Sequence, residues 1–126
     1  MTAQDAYEGI HAYFSQPDAQ LARGSDGNCY YRSPLGRRCA VGCLIPDEIY
    51  EDSFETQSFV SLWVHNKEIR NLFPGDQSSR LFNFLVEAQN LHDGDIVRGV
   101  GREVTTAEEF ISALDDLAHR YDLKVK

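Results

Sequence analysis

Apolar residues at helical spacing limit the fold of this chain more than any other feature of its sequence. The cleanest run carries an apolar residue at nearly every third or fourth position: Leu81, Phe84, Leu85, Ala88 and Leu91. Similar periods cover residues 3–15, residues 57–72 and the segment after Thr105 or Thr106. A period of 3.6 residues places such side chains on one face of an α-helix. The sequence therefore predicts about four amphipathic helices, with 57–72 forming one helix or two.

Polar residues and prolines indicate where these helices begin. Thr2 and Asp5 have the spacing of a capping box, with aspartate in place of glutamate. Asp76 follows the helix-stopping pair at 74–75 and is placed to cap the next helix. Residues 46–48, Pro-Asp-Glu, predict a further start, because proline suits the first helical position and acids favour the positive end of the helix dipole.

Residues 28–45 interrupt the helical pattern. The run from Cys29 to Arg32 is aromatic and has strand preference, and the turn-forming residues 33–36 follow it. We therefore expect a β-hairpin at 28–41. In its first strand Tyr30 and Arg32 point to one face and Tyr31 to the other. Residues 38–45 fit a strand or a helix, and we favour a helix that begins near Arg38; both interpretations bury the segment.

The predicted fold class is α+β: a mostly helical single domain over 1–126, with a short β-hairpin packed against about four helices. The length of 126 residues suits one core. Hydrophobic residues make up 42% of the chain and charged residues 25%, which are ordinary values for a globular protein. This composition argues against wholesale disorder.

The net charge of -8 argues against a surface built broadly for nucleic acid, since such surfaces are usually basic. Solubility explains an acidic exterior, and imitation of a nucleic acid in the basic groove of a partner is the more specific alternative. The three cysteines are odd in number, the first residues lack an export leader, and no apolar run reaches the length of a membrane span. We therefore expect a cytoplasmic protein with free thiols.

One group of residues combines aromatic rings with guanidinium groups. Rings stack on bases and guanidinium forks grip phosphates, so a hairpin carrying both could hold a nucleotide. A glycine-containing segment at 98–102 adds two arginines, although it lacks the lysine of a P-loop. The predicted ligand-binding residues are Tyr30, Arg32, Arg37, Arg38, Arg98 and Arg102. The competing interpretation is a hairpin packed on the core with solvated arginines.

The cysteines suggest two weaker sites. Cys39 follows two arginines and is the best candidate nucleophile, although nothing in the sequence selects a histidine as its base. Cys29, Cys39 and Cys43 could bind zinc with a histidine, but they lack the close CxxC spacing of typical sites. Small cysteines filling a core explain both patterns better. We therefore expect no metal and no cofactor, and a binding protein rather than an enzyme.

The block from DGNCYYR through GRRCAVGCLIPDEIY resembles small uncharacterised proteins of bacteriophages and prophages. Those proteins carry a Cys-x-Tyr-Arg element, a Cys-Ala-x-Gly run and a Leu-Ile-Pro-Asp segment. The resemblance covers about a fifth of the chain and brings no catalytic residues with it. It implies a phage accessory protein made in the cytoplasm of a bacterial host.

Three functional hypotheses follow. The first is a non-enzymatic counter-defence factor that sequesters a nucleotide-like signalling ligand, with two subunits enclosing that ligand as a homodimer. The second is an acidic inhibitor that binds and blocks a host defence protein or mimics nucleic acid. The third is an enzyme that depends on Cys39.

Overall fold

The described part of the protein is all-α. A computed structural model of the chain describes residues 1–22, 30–93, 104 and 106–126. The α-helices are α1 (Ala3–Phe14), α2 (Phe59–His65), α3 (Lys67–Leu72), α4 (Arg80–Asp93) and α5 (Ala107–Arg120), and 3-10 helices cover Gly42–Leu44 and Asp52–Thr56. Within these ranges no helix is long and apolar enough to cross a membrane.

Side-chain caps fix several of the helix ends. The predicted capping box of Thr2 and Asp5 is confirmed, with both reciprocal hydrogen bonds present. Asn66 separates α2 from α3: its backbone is extended, and its side chain accepts from the N–H of Ile69 at 3.0 Å. The segment 57–72 therefore contains two helices. The prediction that Asp76 caps the following helix is wrong, because α4 begins at Arg80.

The core lies between α1, α4 and α5. The Phe14 ring of α1 meets the Phe110 ring of α5 at a centroid distance of 4.6 Å, and both rings contact His92 of α4. The pair α2–α3 packs beside this core, where the Trp63 ring lies 5.0 Å from that of Phe82. Fully burying one such side chain contributes about 1.5–3 kcal/mol, so these ring contacts help to hold the helices together.

The predicted β-hairpin at 28–41, and with it the α+β class, is wrong for the residues described. A single antiparallel bridge joins Arg32 to Arg38, with no named strand on either side. Extension of the ladder would need the N–H of Tyr31 and the carbonyl of Cys39 to pair. Instead the Tyr31 N–H donates to Glu55 and the Cys39 carbonyl accepts from Cys43. Both groups are already satisfied, so the pairing stops after one bridge.

The helix expected to begin near Arg38 is also absent. The chain turns at residues 40–41 and enters the 3-10 turn Gly42–Leu44. The segment is largely buried, as predicted, with Cys39, Ala40 and Val41 fully enclosed. A Cβ at Gly42 would lie 2.2 Å from the Tyr31 carbonyl oxygen, so only glycine allows this close approach.

The start predicted at 46–48 yields one turn rather than a long helix. The N–H groups of Ile49 and Tyr50 both donate to the Pro46 carbonyl, at 3.0 and 3.1 Å. The chain then enters the 3-10 helix Asp52–Thr56. This short path brings Asp47 and Glu55 next to the bridge between Arg32 and Arg38.

Candidate functional site

Two arginines converge on one carboxylate oxygen. Asp47 Oδ1 lies 2.8 Å from Arg32 Nη1 and 3.3 Å from Arg38 Nη2. The Asp47 side chain is 74% exposed, whereas those of Arg32 and Arg38 are 18% and 34% exposed. The guanidinium groups are thus partly enclosed by the protein, while the acid between them lies at the surface. We call Arg32, Arg38 and Asp47 the arginine clamp.

The protein fixes the Arg32 guanidinium from several directions. Its Nη2 donates to the Ile45 carbonyl at 2.8 Å, and its carbon Cζ lies 4.4 Å from the centre of the Tyr50 ring. Such stacking adds a favourable cation–π term. The Nε–H is buried and has no hydrogen-bond partner in the described structure. The Arg32 guanidinium is therefore held by the contacts of Nη1 and Nη2 and by the packing of its flat face on the Tyr50 ring.

The backbone of Arg38 is fixed from below by α1. The Tyr13 hydroxyl of α1 accepts from the Arg38 N–H at 2.8 Å. The bridge to Arg32 sets the distance between the two main chains. The main-chain positions of both arginines are therefore fixed by contacts within the protein.

Glu55 supports the clamp and leads to a neighbouring cleft. Its Oε1 accepts from the Tyr31 N–H at 2.9 Å, and its Oε2 accepts from the Arg32 N–H at 3.0 Å and from the Tyr50 hydroxyl. Burial and the bond to Glu55 raise the pKa of the Tyr50 hydroxyl above its ordinary value, so this hydroxyl stays protonated and donates to Glu55 into the alkaline range. One carboxylate therefore holds both the Arg32 main chain and the ring on which its guanidinium stacks.

The cleft beside Glu55 has a volume of about 220 Å³. Three aromatic residues are among those that line it, namely Tyr30, Tyr31 and Phe59. The polar residues of the described lining are Glu55, Gln57, Ser58, Gln89, Asn90 and Asp93. Among the described lining residues there is no lysine, arginine or histidine. The cleft offers acceptors and side-chain amides rather than positive charge.

A buried network behind the cleft orients Asp93. The Ala22 N–H donates to His92 Nε2 at 3.0 Å, so the ring proton is assigned to Nδ1, which lies 2.9 Å from Asp93 Oδ1. Gln89 Nε2 donates to the same oxygen at 3.0 Å, and its Oε1 accepts from the Val41 N–H. These bonds fix the carboxylate at the end of α4.

The cysteines of the described segment are placed as core residues. Cys39 is fully buried, and burial raises the pKa of its thiol well above the usual value, although Gly42 donates a hydrogen bond to its sulfur. Burial likewise raises the pKa of the Cys43 thiol to about 12. Nucleophilic cysteines need a lowered pKa and access to substrate, and this geometry supplies neither to Cys39.

The metal-site prediction concerns residues both inside and outside the described ranges. Cys29 lies outside them. In residues 1–22, 30–93, 104 and 106–126, no three His, Cys, Asp or Glu side chains are grouped so that they could hold a metal ion.

The predicted ligand-binding residues separate into groups. Arg32 and Arg38 meet in the clamp, whereas Tyr30 lines the cleft. Arg37 is half-buried in the turn, where its N–H donates to the Ser33 hydroxyl. Arg98 and Arg102 lie outside the described residues.

Sequence reasoning missed four acidic or aromatic residues of the site: Asp47, Tyr50, Glu55 and Asp93. The sequence pattern explains Asp47 as an acid at a helix start and assigns Tyr50 no part in the site. Asp47 follows the arginine pair at 37–38 by nine residues. This spacing alone does not predict an ion pair, because the distance between the side chains depends on the path of the chain between them. That path is the buried turn at 39–45.

No protein-family model, curated protein or solved structure matches this chain. What it binds is therefore inferred from its own side chains, above all from the arginine clamp and the cleft.

Proposed function

We propose that the protein is a non-enzymatic binding protein that holds a nucleotide-like ligand, with the arginine clamp contacting a phosphate. The observation that carries this proposal is the convergence of two guanidinium groups on a single exposed carboxylate oxygen. The clamp already holds one oxyanion, which belongs to the chain itself.

Charge favours replacing Asp47 by a phosphate. Two guanidinium groups and one carboxylate leave a formal charge of +1 at the clamp, in a chain whose net charge is -8. A phosphate offers three acceptor oxygens and about two negative charges, so it can engage both forks at once. The exposed Asp47 side chain can turn away without unfolding the buried turn behind it.

Fixed positions favour affinity as well. Arg32 is held by the Ile45 carbonyl and the Tyr50 ring, so little side-chain freedom remains to be lost on binding. Arginine suits this role better than lysine, because its planar fork matches phosphate geometry and stacks on aromatic rings.

The biological role we propose follows from the resemblance to phage accessory proteins. A small acidic protein of that kind, made in the bacterial cytoplasm, would act as a counter-defence factor by sequestering a nucleotide-like signal. A homodimer would enclose such a ligand more completely than one subunit. Native mass spectrometry measures both the subunit number and any mass bound.

The test is native mass spectrometry of the protein purified from a bacterial host, compared with its denatured mass. We expect added mass that corresponds to a phosphate-bearing small molecule, and loss of that mass in Arg38→Gln. Arg120→Gln is the matched control, because Arg120 also forms an exposed ion pair, with Glu87 at 3.7 Å, but lies on α5. Retention of the ligand by a folded Arg38→Gln protein would refute the assignment to the clamp.

A second candidate is an acidic inhibitor of a host defence protein. The charge of -8 and the carboxylates in the described cleft lining favour a basic partner surface. Its signature is capture of a host protein by the immobilised chain, unaffected by Arg38→Gln and weakened by salt. Capture that is independent of salt would argue against it.

A further inference from the structure

We propose that the cleft beside the arginine clamp binds the base of the ligand, and that it selects a base with adjacent N–H donors on one edge, as guanine has. The inference rests on the proposed function, since it assigns the other end of the same ligand. It names the class of nucleotide, which the clamp alone does not determine.

The walls of the cleft suit a flat heterocycle. Tyr30, which is half-buried, lines a space of about 220 Å³ together with the buried Phe59, whose ring packs on those of Phe73 and Phe82. Base–aromatic stacking contributes to binding and tolerates any base, because every base has a π-face. The volume is below the usual range for pockets that enclose whole drug-sized ligands. It suits a base, with the phosphate outside.

The polar lining determines which base fits. Asp93 is partly exposed at the end of α4, and its Oδ1 is oriented by Gln89 and His92. A carboxylate accepts hydrogen bonds through two oxygens and donates none at neutral pH. The Oδ1 of Asp93 already accepts from His92 and Gln89, so Oδ2 is the oxygen that accepts from two neighbouring N–H groups, as in the N1–H and 2-amino group of guanine. The Asn90 amide on the same helix can supply a donor to a base carbonyl.

The other common bases match this lining less well. Adenine presents an acceptor, N1, beside its single amino group, and an acceptor facing a carboxylate is repelled. Hypoxanthine keeps the N1–H of guanine and lacks the 2-amino group. A site built to bind N–H groups rejects a ligand without them, because its own polar atoms are then left unpaired.

The cleft and the clamp are joined through one side chain. Glu55 lines the cleft, and the same carboxylate accepts from the Arg32 N–H and from the Tyr50 hydroxyl beneath the Arg32 guanidinium. The cleft and the clamp therefore share Glu55, and we place the base on the cleft side of this residue and the phosphate on the clamp side. The main chain makes the same connection, since Tyr30 lines the cleft and Arg32, two residues later, belongs to the clamp.

The experiment is calorimetric titration of the wild-type protein with GMP, IMP, AMP and CMP, repeated with guanosine. We expect GMP to bind at least about fivefold more tightly than IMP or AMP, which corresponds to about 1 kcal/mol of discrimination between bases. Asp93→Asn keeps an acceptor for His92 and Gln89 but removes the charge, and it should abolish this preference. Asp18→Asn, an exposed acid that does not line the cleft, is the control for net charge.

The outcomes separate this inference from the proposed function. Equal affinity for all four nucleotides, with loss of binding in Arg38→Gln, would overturn the base assignment and leave the clamp intact. A guanine preference that survives in Asp93→Asn would also overturn it. Guanosine binding as tightly as GMP would refute the phosphate contact and support the cleft. Absence of any binding would refute both the base assignment and the phosphate contact. If Asp93→Asn does not fold, the relative affinities of the wild-type protein for the four nucleotides decide whether the base assignment holds.

Discussion

Asp47 acts as a built-in competitor in this account, so its removal should tighten ligand binding. In Asp47→Asn the side chain keeps its shape but no longer neutralises the guanidinium groups of Arg32 and Arg38. Each exposed ion pair is worth about 0.2–1 kcal/mol. Because the two pairs share one oxygen, their energies do not add in full. Releasing both in advance therefore saves the ligand about 0.5–1.5 kcal/mol, which corresponds to about two- to tenfold in Kd, since 1.4 kcal/mol is tenfold.

The assay is calorimetric titration with the phosphate-bearing ligand at fixed ionic strength. Glu48→Gln is the matched control, because it changes the charge equally at the adjacent exposed position and forms no ion pair with the clamp. We expect Kd to fall about two- to tenfold in Asp47→Asn and to change less in Glu48→Gln. Equal effects of the two variants, or weaker binding by Asp47→Asn, would refute the competition.

Three further predictions concern the buried turn. Gly42→Ala should destabilise the fold by about 3 kcal/mol or more, because its Cβ would lie 2.2 Å from the Tyr31 carbonyl oxygen. Gly36→Ala is the control: it is strained only by φ of +81° and should cost about 1 kcal/mol. Thermal denaturation in which Gly36→Ala is the less stable variant would contradict the close packing at Gly42. The free energy of unfolding should fall as pH rises from about 9 to about 12, since burial raises the pKa of the Cys43 thiol from 9.0 to about 12. In this range the folded state keeps a proton that the unfolded state releases. A free energy of unfolding in urea that is independent of pH from about 9 to about 12 would disprove this prediction. Iodoacetamide at pH 8 should modify Cys39 more slowly than Cys43, because Cys39 is fully enclosed. Peptide mass spectrometry after timed quenching measures both rates. Labelling of Cys39 in the folded protein as fast as that of Cys43 would reopen the enzymatic hypothesis.

Local signals determine the helices, and the sequence therefore predicts them well. The capping box at Thr2 and Asp5 is complete, and Thr106 caps α5 by accepting from the Glu109 N–H. Both devices join residues three positions apart. Their outcome depends little on where the rest of the chain runs.

The hairpin failed as a prediction because its hydrogen-bonding groups find partners far along the sequence. Tyr31 has the right strand preference, yet its N–H, which a longer hairpin would pair with the Cys39 carbonyl, donates to the carboxylate of Glu55, 24 residues away. Strand preference describes a local tendency, and tertiary contacts override it. A glutamate in an exposed, charge-rich segment gives no sequence signal of such a role.

The candidate site was predictable in part for the same reason. Aromatic and guanidinium chemistry at Tyr30, Arg32 and Arg38 is visible in the sequence. The Asp47 carboxylate between the guanidinium groups and the Tyr50 ring beneath Arg32 are not, since both depend on the buried turn that returns the chain to the bridge. The clamp is therefore a tertiary feature assembled from residues that the sequence shows separately.

The central claim is that the guanidinium groups of Arg32 and Arg38 hold the phosphate of the ligand. The most direct measurement is NMR of arginine side chains in ¹⁵N-labelled protein during titration with GMP. The buried Arg32 Nε–H has no competing acceptor in the described structure and is shielded from solvent exchange, which makes its signal a suitable reporter. We predict saturable shifts of the Arg32 and Arg38 signals, assigned with Arg38→Gln, and none at Arg120. Unchanged Arg32 and Arg38 signals at saturating ligand would contradict the account.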